Sequence, residues 1–297
     1  MNEIMGIAPQ VLFGQLLLGL INGSFYAILS LGLAIIFGLL GIINFSHGAQ
    51  YMMGGFAAWM CLNYLGVNYW WALLIAPIAV GLSGVVLERL LISRMYGLDP
   101  LYGMILTLGV ALVIEGLHRN AFGSSGLPYP VPDALRGSQN LGLLIVPKYR
   151  LWVVGVSLAV CLAAWFLIEK TSLGSYLRAA TERPGLTEVF GINVPVLVTL
   201  TYGVGIALAA FAGVLAAPIY SVSPGMGADL IIVVFAVVVI GGMGSIKGAI
   251  LTGFGLGMLE GLTKVVYAEA SATVIFLAMG VMLLVRPSGI FGQKESV

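Results

Sequence analysis

Between Glu3 and Glu88 the sequence carries no Asp, Glu, Lys or Arg, and His47 is the only side chain there that titrates near neutrality. An uncharged apolar stretch of that length has room for roughly three or four membrane crossings at about 20 residues each. Further single spans are predicted over 70–92, 101–117, 151–168, 196–217 and 271–286, each bounded by charges, Pro or Gly. These are expected to be helices, because lipid offers no partner for open backbone groups. Two runs, 11–45 and 229–263, are too long for one crossing: a continuous helix of 35 residues would measure about 52 Å against a hydrocarbon core of about 30 Å. Breaks are therefore expected at Gly38, Gly41 or Gly48 in the first run, and at Gly241, Gly242, Gly244 and Gly248 in the second. The pattern predicts an all-α, polytopic transmembrane helical bundle forming a single transmembrane domain over 1–297, with roughly eight to ten membrane segments and broken or re-entrant helices. A possible internal repeat aligns His47-Gly48-Ala49 with Lys247-Gly248-Ala249, and Gly55 with Gly255, at a constant offset of 200.

Composition agrees with the pattern. Sixty per cent of the 297 residues are hydrophobic and 8 per cent are charged, against about 25 per cent charged in a soluble domain. The net charge of +1 provides no basic face for nucleic acid. Cys61 and Cys161 lie in apolar stretches without a C-x-x-C or a His neighbour, and are read as packing residues, with no metal site expected. The N-terminus lacks the basic region and cleavage site of a secretory signal, so the first apolar run is expected to stay in the mature protein.

Orientation follows from the cations. Taking 169–195 as cytoplasmic puts Arg89, Arg94, Lys170, Arg178, Arg183, Lys247, Arg286 and Lys294 inside, and Arg119, Arg136, Lys148, Arg150 and Lys264 outside. The 118–150 segment, with Pro128, Pro130 and Pro132, then becomes a periplasmic loop.

Polar side chains inside apolar runs are the candidates for function, since each needs a partner. Asn22, Tyr26 and Ser30 recur on one helical face beside Gly19-x-x-x-Gly23. Such a stripe suits either interhelical bonding or a hydrated path. Asn44, Ser46, His47 and Gln50 interrupt an apolar run at a glycine-rich break, and suit either capping of a helix junction or a translocation gate. Gly241-Gly242-Met243-Gly244-Ser245-Ile246-Lys247-Gly248 lacks the Gly-Lys-Ser/Thr of a phosphate cradle and is read as a tight turn between two helices. Glu260 and Lys264, four apart, are expected to pair, and Glu115 sits close to His118 and Arg119. Segment 169–195 alternates charges with Leu173, Leu177, Leu186 and Val189, which suits a docking element pinned between two membrane helices or an ordinary solvated loop.

The ordered motifs Asn22-Gly23-Ser24-x-Tyr26-Ala27, Ile43-Asn44-Phe45-Ser46-His47-Gly48, Thr171-Ser172-Leu173-Gly174 with Arg178-Ala179, Gly191-Ile192-Asn193, Gly241-Gly242-Met243-Gly244-Ser245-Ile246-x-Gly248-Ala249 and Arg286-Pro287-Ser288-Gly289-Ile290-Phe291-Gly292 span nearly the whole chain. In these the sequence resembles the LivH-type permease subunits of branched-chain amino acid ABC transporters. The resemblance implies a multi-pass protein of the bacterial inner membrane that works with a second permease subunit, two cytoplasmic ATPase subunits holding ATP and Mg, and a periplasmic solute-binding protein. It implies no cofactor and no catalytic residue on this chain. It makes Thr171, Leu173, Gly174, Arg178, Ala179, Glu182 and Gly191 parts of an ATPase-coupling loop. Asn22, Tyr26, Asn44, Ser46, His47 and Gln50 then line the translocation pathway. Two departures stand out: Glu182-Arg183 where the family often has an acidic pair, followed by Pro184-Gly185, which should shorten any helix there, and Lys247 where a proline is frequent. Aliphatic amino acids are the expected solute, with urea, short amides or organic acids as alternatives. From other classes, a passive channel or ion-coupled carrier would transport without ATPases, an intramembrane enzyme would alter its solute, and an assembly subunit would tolerate polar-site substitutions.

Overall fold

The computed structural model describes residues 8–41, 43–140, 142 and 144–292, so Lys294 lies outside the described residues. Among them are eleven α-helices: α1 (Pro9–Leu40), α2 (His47–Leu65), α3 (Tyr69–Leu90), α4 (Pro100–Phe122), α5 (Lys148–Lys170), α6 (Ser172–Glu182), α7 (Pro184–Val189), α8 (Val194–Ala216), α9 (Ala228–Gly241), α10 (Ile246–Val266) and α11 (Thr273–Val285). The only strands among the described residues, β1 (Ser138–Asn140) and β2 (Ile145–Pro147), form a short antiparallel pair in the 118–150 loop. Among the described residues six helices are long and apolar enough to cross a membrane: α1, α3, α4, α5, α8 and α10. The protein is an all-helical, multi-pass membrane protein. Its outer helices α4 and α5 expose Leu108, Leu112, Leu162 and Phe166, as lipid-facing surfaces do.

Helix α1 is the central element, and of the three glycines at which the first run was expected to break only Gly41 ends it. It runs unbroken for 32 residues, about 48 Å. Breaks at Gly38 and Gly48 do not occur. The first turns of α1 instead overrun the span, and Gln10, Gly14 and Gln15 share a small cavity with Leu144 and Arg150 at the end of the molecule that carries the 118–150 loop. The helix stops at Gly41, whose φ of 64° is the left-handed value that glycine adopts without penalty. Gly38 and Gly48 serve close approach, lying against Gly244 and Gly227 respectively.

After Gly41 the chain doubles back alongside α1. His47, the first residue of α2, places Nε2 3.0 Å from the carbonyl oxygen of Leu29, about 16 Å of helix back from the end of α1. The N-terminus of α2 therefore begins deep inside the bundle. The start of α9 lies beside it, since a Cβ on Gly227 would overlap the backbone of Gly48. Two helices thus start at a common depth and run toward opposite ends.

The second long run breaks as expected between α9 and α10. Gly242 and Gly244 have φ of 101° and 81°, and Ser245 caps α10 by accepting a bond from the Gly248 amide at 3.1 Å. Gly248, expected in the break, stands in the first turn of α10, where its backbone packs on Gly241. The freed carbonyls of Ile240 and Gly241 accept from the amides of Ile290 and Phe291 at 2.8 and 3.1 Å. The C-terminal Arg286–Gly292 motif therefore closes the end of α9. The aligned repeat positions have unlike surroundings: Gly55 meets Val222 and Gly213, whereas Gly255 has open space.

Small residues bring the helices together, as expected where lipid removes a hydrophobic force between helices. Gly19 and Gly23 of α1 lie against Gly253, Gly257 and Gly261 of α10, and Gly54 and Gly213 weld α2 to α8. At the loop end, Leu127 and Val222 exchange backbone bonds of 2.8 and 2.9 Å. Tyr69 and Tyr149 share a 3.0 Å hydroxyl contact, and Tyr149 donates to the Leu215 carbonyl, so Tyr69 is the donor between them. Burial pushes the phenol of neighbouring Tyr129, in the loop, up to about 12.

Candidate functional site

The deep break between α1 and α2 gathers a closed polar cluster. Asn44 Oδ1 accepts from the Ser46 amide at 3.0 Å and from the Ser46 hydroxyl at 2.6 Å. Asn44 Nδ2 donates to Tyr202 of α8 at 3.0 Å and, more weakly, to Gln50 Oε1 at 3.4 Å. Gln50 Nε2 donates in turn to the Ser46 hydroxyl at 3.1 Å. Because a carbonyl only accepts, His47 Nε2 carries the proton toward Leu29, while Nδ1 has no partner among the described residues. From α4, Thr107 accepts from the Phe45 amide at 3.1 Å and holds the turn. Asn44, Ser46, His47 and Gln50 are all at most 1 per cent exposed. The sequence-predicted set is thus brought together, sealed from solvent. Tyr202 and Thr107 lie on distant helices, and nothing in the spacing within α8 or α4 marks them as belonging to it.

A second cluster takes in the other polar stripe. Tyr26 donates to Glu260 at 2.8 Å, Asn22 Nδ2 lies 3.4 Å from both carboxylate oxygens, and Lys264 pairs with Glu260 at 2.6 Å. Tyr220 donates to Asn22 Oδ1 at 3.0 Å. The expected Glu260–Lys264 pair is present, and so is a Glu115–Arg119 pair at the end of α4. Ser30 departs from the stripe: its hydroxyl is buried away from Glu260, with no partner among the described residues.

A third carboxylate was not anticipated. Glu88 is 2 per cent exposed and accepts from Tyr96 at 2.6 Å and Thr199 at 2.7 Å, tying α3 to α8. Its place at the end of an apolar run read only as a boundary.

The opposite end of the molecule carries segment 169–195. As Pro184 predicts, α6 stops at Glu182 and a short α7 starts at Pro184. Thr171 bonds back to the Leu167 carbonyl, and Gly174 is buried where a Cβ would overlap the Ile168 carbonyl, so the turn from α5 into α6 is tight. A cavity of about 1110 Å³ opens here, lined by Gly38, Glu169, Arg178, Glu182, Ser245 and Arg286 among others. Leu173, Ala179 and Gly191 face outward. Val189 and Phe190 are 80 and 78 per cent exposed amid Arg183 and Glu188, an apolar patch at a charged end of the molecule. Sequence reading found Val189 and passed over Phe190. No group of His, Cys, Asp and Glu among the described residues could hold a metal ion.

A charge-poor helical bundle with broken helices and two polar clusters held between them is built as a membrane transport permease. Over residues 15–286 the chain matches the family described as branched-chain amino acid transport system / permease component. It is 30 per cent identical to the high-affinity branched-chain amino acid transport system permease protein BraD of Pseudomonas aeruginosa, covering 95 per cent of this chain and 96 per cent of that one. Identity is also 30 per cent to the corresponding LivH protein of Salmonella typhimurium, with the same coverage of each chain. To a probable branched-chain amino acid transport permease protein LivH of Methanocaldococcus jannaschii it is 26 per cent, over 92 per cent of this chain and 90 per cent of the relative. The chain belongs to the branched-chain amino acid transport system permease family.

Proposed function

We propose that this chain is the translocating subunit of an ATP-driven importer of branched-chain amino acids in the bacterial inner membrane. It works with a second permease subunit, two cytoplasmic ATPases that hold ATP and Mg, and a periplasmic solute-binding protein. The chain passes the membrane nine times: α1, α3, α4, α5, α8 and α10 directly, and α2, α9 and α11 each together with the chain that flanks it. Segment 169–195 is cytoplasmic and the 118–150 loop periplasmic.

The observation that carries the energy-coupling part is the exposed pair Val189 and Phe190, next to Arg183 and Glu188, at the end where α6 touches the large cavity. Apolar side chains at a polar end of a membrane protein are stabilised by a partner's surface. ATP-driven closure of the ATPases moves α6 and α7, and the displacement reaches α1 and α10 through the cavity walls Gly38, Arg178, Glu182 and Ser245. The solute then passes polar groups that exchange partners between two states, and differential contacts in those states drive the change. Asn22, Tyr26, Asn44, Ser46, His47 and Gln50 are the groups assigned to that path.

Replacing Arg178 and Glu182 together by Ala is expected to cut leucine uptake by reconstituted proteoliposomes about tenfold or more, while ATP hydrolysis and membrane insertion persist. Uptake still coupled to hydrolysis in that variant removes the assigned role of α6. Leucine transport by the purified chain alone, with no ATPase present, would replace the whole reading with a passive channel or ion-coupled carrier.

A further inference from the structure

The Glu260–Lys264 pair is more than a structural ion pair. It sits in the half of the molecule nearer the 118–150 loop, and its two members differ in kind. Glu260 is buried, with its oxygens taken up by Tyr26, Asn22 and Lys264. Lys264 has a third of its side chain exposed. An ammonium has three donors, and Glu260 takes the only one with a protein partner among the described residues. Alongside lies Tyr220, 43 per cent exposed and fixed by its bond to Asn22. The result is a partly exposed cation held in one position by a saturated carboxylate, next to a phenol fixed by Asn22.

We propose that Lys264 receives the carboxylate of the transported solute at the outer mouth of the path, with Glu260 as the positioning residue that aims it. The inference rests on the amino-acid import reading above and narrows it. A carboxylate satisfies the unused donors of Lys264, as a charge-assisted pair. Urea and short amides have no such group. Selection for a carboxylate is thereby built into the permease itself and does not rest wholly on the binding protein. Asn22 belongs to the same site through its simultaneous bonds to Glu260 and Tyr220.

The test uses the complete transporter in proteoliposomes, with leucine as the probe and its binding protein supplied. The expected results are that Lys264→Met lowers leucine uptake per ATP hydrolysed roughly tenfold or more while binding-protein-stimulated hydrolysis is kept, and that Lys264→Arg retains most uptake. The decisive variant is Glu260→Gln combined with Lys264→Met, which restores charge balance in the buried site and so keeps the test open if Lys264→Met alone fails to fold. Uptake in the double variant is expected to stay low. Recovery there to the wild-type level would mean that Lys264 serves only to neutralise Glu260, and would overturn the proposal, as would normal uptake by Lys264→Met. Absence of leucine uptake by the wild-type complex would overturn the amino-acid reading itself, and this site with it.

Discussion

Asn44→Ala is expected to lower leucine uptake at least tenfold and to lower the melting midpoint of the detergent-solubilised protein by roughly 5–10 °C. The reasoning is a count of orphaned groups. Asn44 Oδ1 is the acceptor for both the amide and the hydroxyl of Ser46, and Nδ2 is the donor to Tyr202. All of these atoms are buried, so Ala leaves groups that neither lipid nor water can satisfy, at about 1–3 kcal/mol each. The damage falls where the chain doubles back beside α1 and α2 begins, which makes both folding and passage depend on it. Gln50→Ala removes a weaker contact to Asn44 and one bond to Ser46, and should have the milder phenotype. Wild-type uptake and melting in Asn44→Ala would show that the cluster neither supports the break nor lines the path.

This cluster also shows where sequence reading succeeds and where it ends. Four polar side chains in an apolar run have to be satisfied somewhere, so Asn44, Ser46, His47 and Gln50 could be picked out from chemistry alone. Their partners could not. Tyr202 is 158 residues from Asn44, and Thr107 is 62 residues from Phe45; each sits among other hydroxyls of its helix, and nothing local singles it out. The same holds for the outer site. The Asn22 and Tyr26 stripe and the Glu260–Lys264 spacing were separately visible, because both are local periodicities of a helix. That they form one site depends on α1 docking along α10 at a particular depth, which spacing within either helix does not encode.

The length of α1 failed to be legible for a related reason. A helix far longer than the hydrocarbon core was expected to break at the available glycines. The structure lets it overrun against Leu144 and Arg150, and uses Gly38 for contact with Gly244 in place of a bend. A glycine in an apolar run can serve either purpose, and only the neighbour across the interface decides which. Gly41 and Gly242 lie outside the helices with positive φ, while Gly38, Gly48 and Gly248 lie inside them against other backbones.

That distinction gives the sharpest structural test, a pair of substitutions two residues apart on α10. Gly257→Leu is expected to reduce the yield of folded, monodisperse protein at least tenfold, read by fluorescence-detected size exclusion, whereas Gly255→Leu should behave as wild type. A Cβ at Gly257 would overlap the Gly19 carbonyl and the backbone of Gly23, neither of which can move without parting α1 from α10. Overpacking costs about 1–3 kcal/mol even where side chains yield, and more against rigid backbone. Parting the helices would also carry Glu260, one turn further on, away from Asn22 and Tyr26, so any surviving protein should lose the outer polar site. At Gly255 a Cβ has open space within 4 Å, and leucine favours the helix by close to 1 kcal/mol over glycine. Equal yields from the two variants would mean that the α1–α10 seam does not depend on backbone contact, and the depth register that assembles both polar clusters would need another cause.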